Sequence, residues 1–332
     1  MGRSLGSLVM TKLAYIFPGQ ASQYAGMGRD LYDNYDAARN VFEEADDALG
    51  LSISKMCFEG SAEELQLTEN TQPAILTVSV AAFRAMLSEG FPKPDYVVGH
   101  SLGEYSALVA AGSLSLSDAV KTVRARGRYM QEAVPVGAGA MAAILGASLG
   151  VIEETCKDAA QGQVCSPANI NSNGQVVIAG NAEAIDRACI LLKERGAKRA
   201  VKLPVSAPFH CELMKPAQER LTKDLDAITF NKLEMPLVTN VDAAPNNEGD
   251  AAREALKKQV SAPVRWLESI ERLLNEGVEN FVEVGPGKVL CGLGRQIRRE
   301  ANWLNVEDSV SLNAAKENLS FNNGSLSLES NA

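Results

Sequence analysis

The sequence predicts an α/β protein with a mostly parallel sheet, and a second, smaller βαββαβ unit inserted into it. Three observations predict this. Short apolar runs alternate with helical stretches along the 332 residues, the pattern of parallel strands joined by helical crossovers. The stretch VVGHSLGEYSA, residues 97–107, pins a serine between two glycines where such a run turns into a helix. Residues 134–204 alternate faster and carry an Asn-Gly pair between two apolar runs, a strong hairpin signal.

Taken in order, the first strand is LAYIF, within residues 12–17, and it ends at Pro18-Gly19-Gln20. Met10 directly precedes it, so residues 1–9 read as a tag remnant or an upstream start and are set outside the fold. Residues 36–49 read as a helix, and residues 72–87 as a long apolar one that belongs in the interior. DYVV is the strand before the serine, and LGEYSALVAAG is the helix after it. Residues 117–131 form an amphipathic helix. GAMAAILGA then reads as a strand and VIEETCKDAA as a helix. QVCSPANINSNGQVVIAG reads as two strands around Asn173-Gly174. NAEAIDRACILLKERG is a helix capped by Asn181 and stopped by Gly196, and AKRAVKLPV closes the unit as a strand. The order βαββαβ is the ferredoxin-like pattern. Pro204 and APFH return the chain to the main body, which gives a large discontinuous unit, 10–133 and 205–304, around a small one, 134–204. ENFVEVGPGKVLCGLGRQI adds one more strand, a Gly-Pro-Gly turn and a helix. From Asn305 to residue 332 the chain is polar, rich in Ser and Asn, and aperiodic, so a disordered tail is expected there.

Composition narrows the function. Apolar content of 46% and charged content of 22% are those of a soluble globular protein. A net charge of −9 argues against a general nucleic-acid binder. No apolar run approaches the length of a membrane span. The cysteines at 57, 156, 165, 189, 211 and 291 form no CxxC pair and no metal-like spacing with histidine. They read as reduced thiols of a cytoplasmic protein with no metal.

The serine between glycines carries the chemistry. A tight strand-to-helix turn strains the central residue and projects its hydroxyl beside free helix N-terminal N–H groups. Ser101 is therefore either a nucleophile or an ordinary helix N-cap. A nucleophile needs a base, and the chain has only two histidines. His100 adjoins Ser101 on the turn and points elsewhere; His210, at the join between the two units, is the candidate. No acid stands out as a third member: Asp118, Asp158 and Asp186 each read as polar positions beside amphipathic helices. A backbone carbonyl or a side-chain amide is left to orient the imidazole. On the helix DAVKTVRARGRYM, Arg126 falls roughly 70° from the centre of the apolar face, Arg124 roughly 90° and Arg128 roughly 130°. Arg126 is thus the arginine turned inward, and its anionic partner is either a structural carboxylate or a substrate carboxylate held bidentately. Gln20 follows the first strand at the end where ligand sites gather in parallel sheets, and its N–H can serve as an oxyanion donor.

Together FPGQ, GHSLGE, Arg126-Gly127, APFH and VGPGKVL, with GAMAA, SPANINS, GQVVIAG and HCELMKPA, resemble the malonyl-CoA:acyl carrier protein transacylase family of fatty-acid synthesis. The likeness runs from about Met10 to Ile297. It implies an α/β-hydrolase-like core with an inserted ferredoxin-like subdomain. It implies that Ser101 is the residue malonylated and His210 the base. Arg126 pairs with the malonyl carboxylate, and Gln20 and Leu102 supply the oxyanion N–H groups. Gln259 orients the histidine through its carbonyl, and Asn169 lines the pocket. Phe209 resembles the malonyl-selective pattern of related acyltransferases. The family's FPGQGSQ is FPGQASQ here, so Ala21 stands where a glycine would allow a positive φ.

The resemblance further implies ping-pong transfer from malonyl-CoA to the phosphopantetheine thiol of holo acyl carrier protein, with no cofactor, no metal, no nucleic acid and no membrane, by a cytoplasmic monomer. An acidic carrier needs a local basic patch on this acidic chain. Lys193, Arg195, Lys198, Arg199 and Lys202 form one candidate cluster, and Lys288, Arg295, Arg298 and Arg299 another. Two alternatives stand beside it: a malonyl acyltransferase serving a polyketide synthase, which would share every residue named, and a serine thioesterase or hydrolase, which shares the nucleophile elbow but is disfavoured by the absent acid and the inward arginine. A carrier-binding scaffold without catalysis would have no use for Ser101, His210 and Arg126 together.

Overall fold

The computed structural model describes residues 11–205 and 207–324. The chain begins with β1 (Lys12–Phe17), then α1 (Arg29–Asn34), α2 (Asp36–Leu49), α3 (Ile53–Glu59), α4 (Ala62–Gln66) and α5 (Thr68–Ser88). β2 (Tyr96–Gly99) leads into α6 (Gly103–Ala110) and α7 (Leu116–Glu132). A second run follows: β3 (Gly139–Leu145), α8 (Leu149–Ala160), β4 (Cys165–Ser172), β5 (Gln175–Asn181), α9 (Ala182–Glu194) and β6 (Arg199–Lys202). The chain returns through α10 (Lys215–Asp226), β7 (Leu237–Val238), β8 (Pro245–Asn246), α11 (Gly249–Gln259) and α12 (Trp266–Asn275). It closes with β9 (Val278–Val284), α13 (Val289–Ile297), β10 (Asn302–Val306) and α14 (Ser309–Gly324).

Two sheets result. The larger has the order β10-β9-β1-β2-β7-β8, parallel except for the β7–β8 pair. Its central strand β1 is buried from Ala14 to Phe17, as a strand covered on both faces must be. Parallel neighbours deliver their following loops to one edge. Phe17 pairs with Gly99 and Val98 with Val238, so the loops after β1, β2 and β7 emerge side by side. The smaller sheet is antiparallel with the order β4-β5-β3-β6, and takes all its strands from residues 139–202. Its helices α8 and α9 close over a separate apolar cluster that includes Ile144, Ile152, Ile178 and Leu192.

The small sheet is tied to the main body through Val264, between α11 and α12. Ile170 N–H donates to the Val264 carbonyl at 2.9 Å, and Val264 N–H to the Ala168 carbonyl at 2.8 Å. The main apolar core draws Met141, Ala168, Val177 and Ala179 from the small sheet into the same cluster as Phe17, Leu102 and Leu108.

Several expectations are corrected. The chain from Asn305 is not an aperiodic tail as far as residue 324. Val306 ends β10, which pairs in parallel with β9 and stacks Trp303 on Phe281 at 4.2 Å. α14 then buries Leu312, Ala315 and Leu319, an i, i+3, i+7 stripe hidden among serines and asparagines. Residues 325–332 and 1–9 lie outside the described residues. The helix expected over 72–87 starts a turn earlier, at Thr68, and carries Pro73 inside it. Asn181 precedes α9 but makes no side-chain cap; its Oδ1 accepts from Val164 N–H at 2.8 Å.

Candidate active site

Ser101 sits on the turn between β2 and α6 with φ of 51°, the strained left-handed conformation expected of an exposed nucleophile. Glycine is required on both sides of it. A Cβ on Gly99 would lie 1.9 Å from the Gly103 carbonyl carbon, and one on Gly103 would lie 2.0 Å from the Phe17 carbonyl oxygen. The turn is braced by Asn240, just beyond β7: its Oδ1 accepts from Ser101 N–H at 2.7 Å and its Nδ2 donates to the Gly99 carbonyl at 2.7 Å.

The Ser101 hydroxyl lies 2.7 Å from His210 Nε2. His210 Nδ1 lies 2.9 Å from the Gln259 carbonyl, which belongs to the last turn of α11, where helix carbonyls lack intrahelical partners. A carbonyl only accepts, so Nδ1 carries the proton and Nε2 is left bare toward Ser101. Burial, reinforced by the charge of Arg126, pulls the His210 imidazole down to about 3. It is therefore neutral, the form a general base needs. His210 too has a positive φ, 60°. Among the described residues no carboxylate is bonded to it; its two ring nitrogens face Ser101 and the Gln259 carbonyl.

Arg126 is 1% exposed. Its Nη1 donates to Gln72 Oε1 at 2.7 Å, and its Nη2 donates to Gln259 Oε1 and to Ser101 Oγ, both at 3.0 Å. Its guanidinium lies 5.6 Å from the centre of the Tyr105 ring. Every one of these partners is neutral; no carboxylate is within ion-pair distance among the described residues. Of the two readings of an inward arginine, this leaves its charge available to a ligand.

These groups face a cavity of about 290 Å³ at the junction of the two sheets. Gln20, Ser101, Leu102, Arg126, Asn169, Phe209 and His210 all line it. Gln259 does not; it reaches the site through its hydrogen bonds to Arg126 and His210. The amides of Gln20 and Leu102 are not engaged by other described residues, and each follows a strand end on the edge where Ser101 sits. Ala21 adopts φ of 83° in the loop beside Gln20, so alanine here holds the backbone a glycine would relax into. Asn171, on β4, lines the cavity and lies 2.9 Å from His100 Nε2. Gln72, His100 and Gln175 also line it, and the rest of the wall is largely apolar, with Met130, Met141, Val177, Leu290 and Leu293.

Gln72, Asn240 and Asn171 were not singled out from the sequence. Gln72 had one signal, a buried amide in an otherwise apolar helix, and SPANINS carries Asn171 two residues beyond Asn169. Asn240 had none. Among the described residues no group of three or more His, Cys, Asp or Glu side chains is placed to hold a metal ion. No helix there is long and apolar enough to cross a membrane. In the two basic clusters Arg195 pairs with Asp158 at 2.5 Å, Lys202 with Asp186 at 2.5 Å and Lys288 with Glu307 at 3.9 Å.

Comparison with known proteins agrees with this geometry. Residues 14–322 match the family model described as acyl transferase domain. The chain is 48% identical over 315 residues to the malonyl CoA-acyl carrier protein transacylase of Bacillus subtilis, covering 95% of this chain and 99% of that one. It is 51% identical over 288 residues to the protein of the same name from Escherichia coli K12, covering 87% and 93%. Among solved structures, a type II PKS acyl-carrier protein in complex with its malonyl-transacylase matches with a TM-score of 0.90 at 45% identity, over 93% of this chain and all of that one.

Proposed function

Because the chain belongs to the acyl transferase domain family, we propose that it transfers malonyl from malonyl-CoA to the phosphopantetheine thiol of holo acyl carrier protein, through a malonyl ester on Ser101. One observation carries the reading beyond the family: the Ser101 hydroxyl is shared between a neutral imidazole, at 2.7 Å, and a buried guanidinium with only neutral partners, at 3.0 Å. A plain esterase has no use for that cation. An acyl group that ends in a carboxylate does.

His210 Nε2 takes the Ser101 proton as Oγ attacks the thioester carbonyl. The tetrahedral oxyanion rests on the N–H groups of Gln20 and Leu102, each such donor contributing about 3–4 kcal/mol. The C–S bond breaks, and His210 returns the proton to the coenzyme A sulfur. The carrier's thiol then gives its proton to His210 and attacks the ester, and Ser101 regains the proton as it leaves. Arg126 holds the malonyl carboxylate throughout, while Asn169 and Phe209 shape the space around the acyl group. The chemistry needs no metal or cofactor. The reading includes a monomer at work in the cytoplasm, docking its acidic carrier on a local basic patch.

Intact-protein mass spectrometry tests it. Wild type mixed with malonyl-CoA is expected to carry one malonyl group, absent from Ser101→Ala and discharged by holo acyl carrier protein. Free malonate accumulating with no adduct would make the protein a thioesterase instead.

A further inference from the structure

Glu104 lies in the first turn of α6, three residues past Ser101, and is fully buried. It does not line the cavity. Its Oε2 accepts from Gln259 Nε2 at 2.8 Å and from Asn240 N–H at 3.1 Å. Both partners touch the catalytic groups. Asn240 Oδ1 holds Ser101 N–H at 2.7 Å. Gln259 holds Arg126 by its Oε1 at 3.0 Å and His210 by its carbonyl at 2.9 Å.

The chemistry of the side chains gives this arrangement a direction. A carboxylate only accepts hydrogen bonds and a guanidinium only donates them. The Gln259 amide lies between one of each. With Nε2 toward Glu104 and the Ser101 carbonyl, at 2.8 and 2.9 Å, its Oε1 faces Arg126. Turned over, it would set oxygen against carboxylate and N–H against guanidinium. We infer that Glu104 is a positioning residue of this site: its carboxylate fixes the Gln259 amide, and through it the placement of Arg126 and His210 against Ser101. The inference rests on the transfer reading above.

Ionisation of Glu104 matters because a neutral acid, like a glutamine, can both donate and accept and so tolerates either amide orientation. The charged or titratable groups acting on Glu104 are Arg126 from α7, Asp242 beyond β7 and Tyr105 on its own helix. Burial pushes its carboxyl up to about 7, so the charged form is lost as the solution is acidified through neutrality.

The test is rapid-quench loading of Ser101 from malonyl-CoA and from acetyl-CoA, across the neutral pH range, for the full-length wild type, Glu104→Ala and Glu104→Gln. Glu104→Ala should slow malonyl loading about 10²-fold, the effect of a small misplacement of reacting groups. The malonyl-to-acetyl ratio should fall with it. Glu104→Gln keeps one acceptor and should recover to within about tenfold of wild type. Its rate should not vary through neutrality, while the wild-type rate descends toward it on acidification. Folded Glu104→Ala that loads malonyl at the wild-type rate overturns the inference. So does a loss that tracks only the folded fraction, with ratio and pH profile unchanged. A wild type that loads no malonyl overturns the transfer reading, and the inference with it.

Discussion

A buried guanidinium held only by Gln72, Ser101 and Gln259 is costly, because neutral acceptors solvate a cation less well than a carboxylate does. Burial alone lowers its pKa, the direction expected of a cation taken from water. On the proposed function, a malonyl carboxylate entering the cavity would relieve that cost and an acetyl group would not, and the site would select by charge. Arg126→Ala should therefore reduce the malonyl-to-acetyl ratio of Ser101 loading by at least about 10²-fold, the size expected when one partner of a buried charge pair is removed. Acetyl loading should change far less. Competition between the two thioesters, read by mass spectrometry, checks this; an undiminished malonyl preference would remove Arg126 from the carboxylate's contacts. At this scale Ser101, His210 and Arg126 could be singled out as candidates from the sequence: a serine between glycines within GHSLGE, one of only two histidines, and one arginine on the inner face of its helix. Glu104, Gln72 and Asn240 were not. Their roles depend on which hydrogen-bonding groups meet in space, and nothing in the spacing of a chain records that 104, 240 and 259 converge.

Helix α13 shows the same problem one level up. The sequence reading gave a strand, a Gly-Pro-Gly turn and this helix, which matches β9 and α13. It did not show what holds the helix in place. Glu283 on β9 is fully buried and points at the start of α13, where it accepts from Leu290 N–H at 3.0 Å and Cys291 N–H at 2.7 Å. An acceptor there satisfies N–H groups that have no intrahelical partner. The same helix supplies Leu290 and Leu293 to the cavity wall. Glu283→Ala should cost about 1–3 kcal/mol by orphaning those donors and should loosen the wall as well. Burial raises the Glu283 carboxyl from 4.5 to about 7. The folded state thus binds this proton more tightly than the unfolded chain, so the contribution of Glu283 is full below about pH 4.5 and declines as pH rises through 7. The stability gap between wild type and Glu283→Ala, measured by denaturant unfolding, should be wider in mild acid than in mild alkali. A gap that widens with pH instead would contradict the assignment. α14 was missed for a different reason. Its apolar stripe has only one residue per turn, too sparse to stand out in a stretch whose composition reads as disordered.

At the scale of the whole molecule, the alternation of elements and the Asn-Gly hairpin were enough to predict two sheets of different kinds. The coupling between them was not visible. It runs through the backbone bonds between β4 and Val264, the His100–Asn171 contact at 2.9 Å and the hydrogen bond from Ser172 to Gln296 at 3.0 Å. These are pairings between residues 70 to more than 120 positions apart. They matter because the cavity has walls from both sheets: if the sheets parted, Asn169 and Val177 would leave Ser101 and Arg126 behind. A core shared across the junction, with Met141, Ala168 and Val177 packed among residues of the large sheet, should make the two parts unfold as one. The sequence itself provides a probe for each. Both tryptophans, Trp266 and Trp303, lie with the large sheet, while residues 134–204 contain no aromatic side chain but three cysteines. Cys156 is buried between α8 and the small sheet and is shielded from alkylation while that part stays folded. Across a urea series, tryptophan fluorescence and alkylation of Cys156, followed by peptide mass mapping, should give the same midpoint. Labelling of Cys156 at clearly lower urea would mean that the small sheet opens by itself, and that the cavity is assembled only while it is docked.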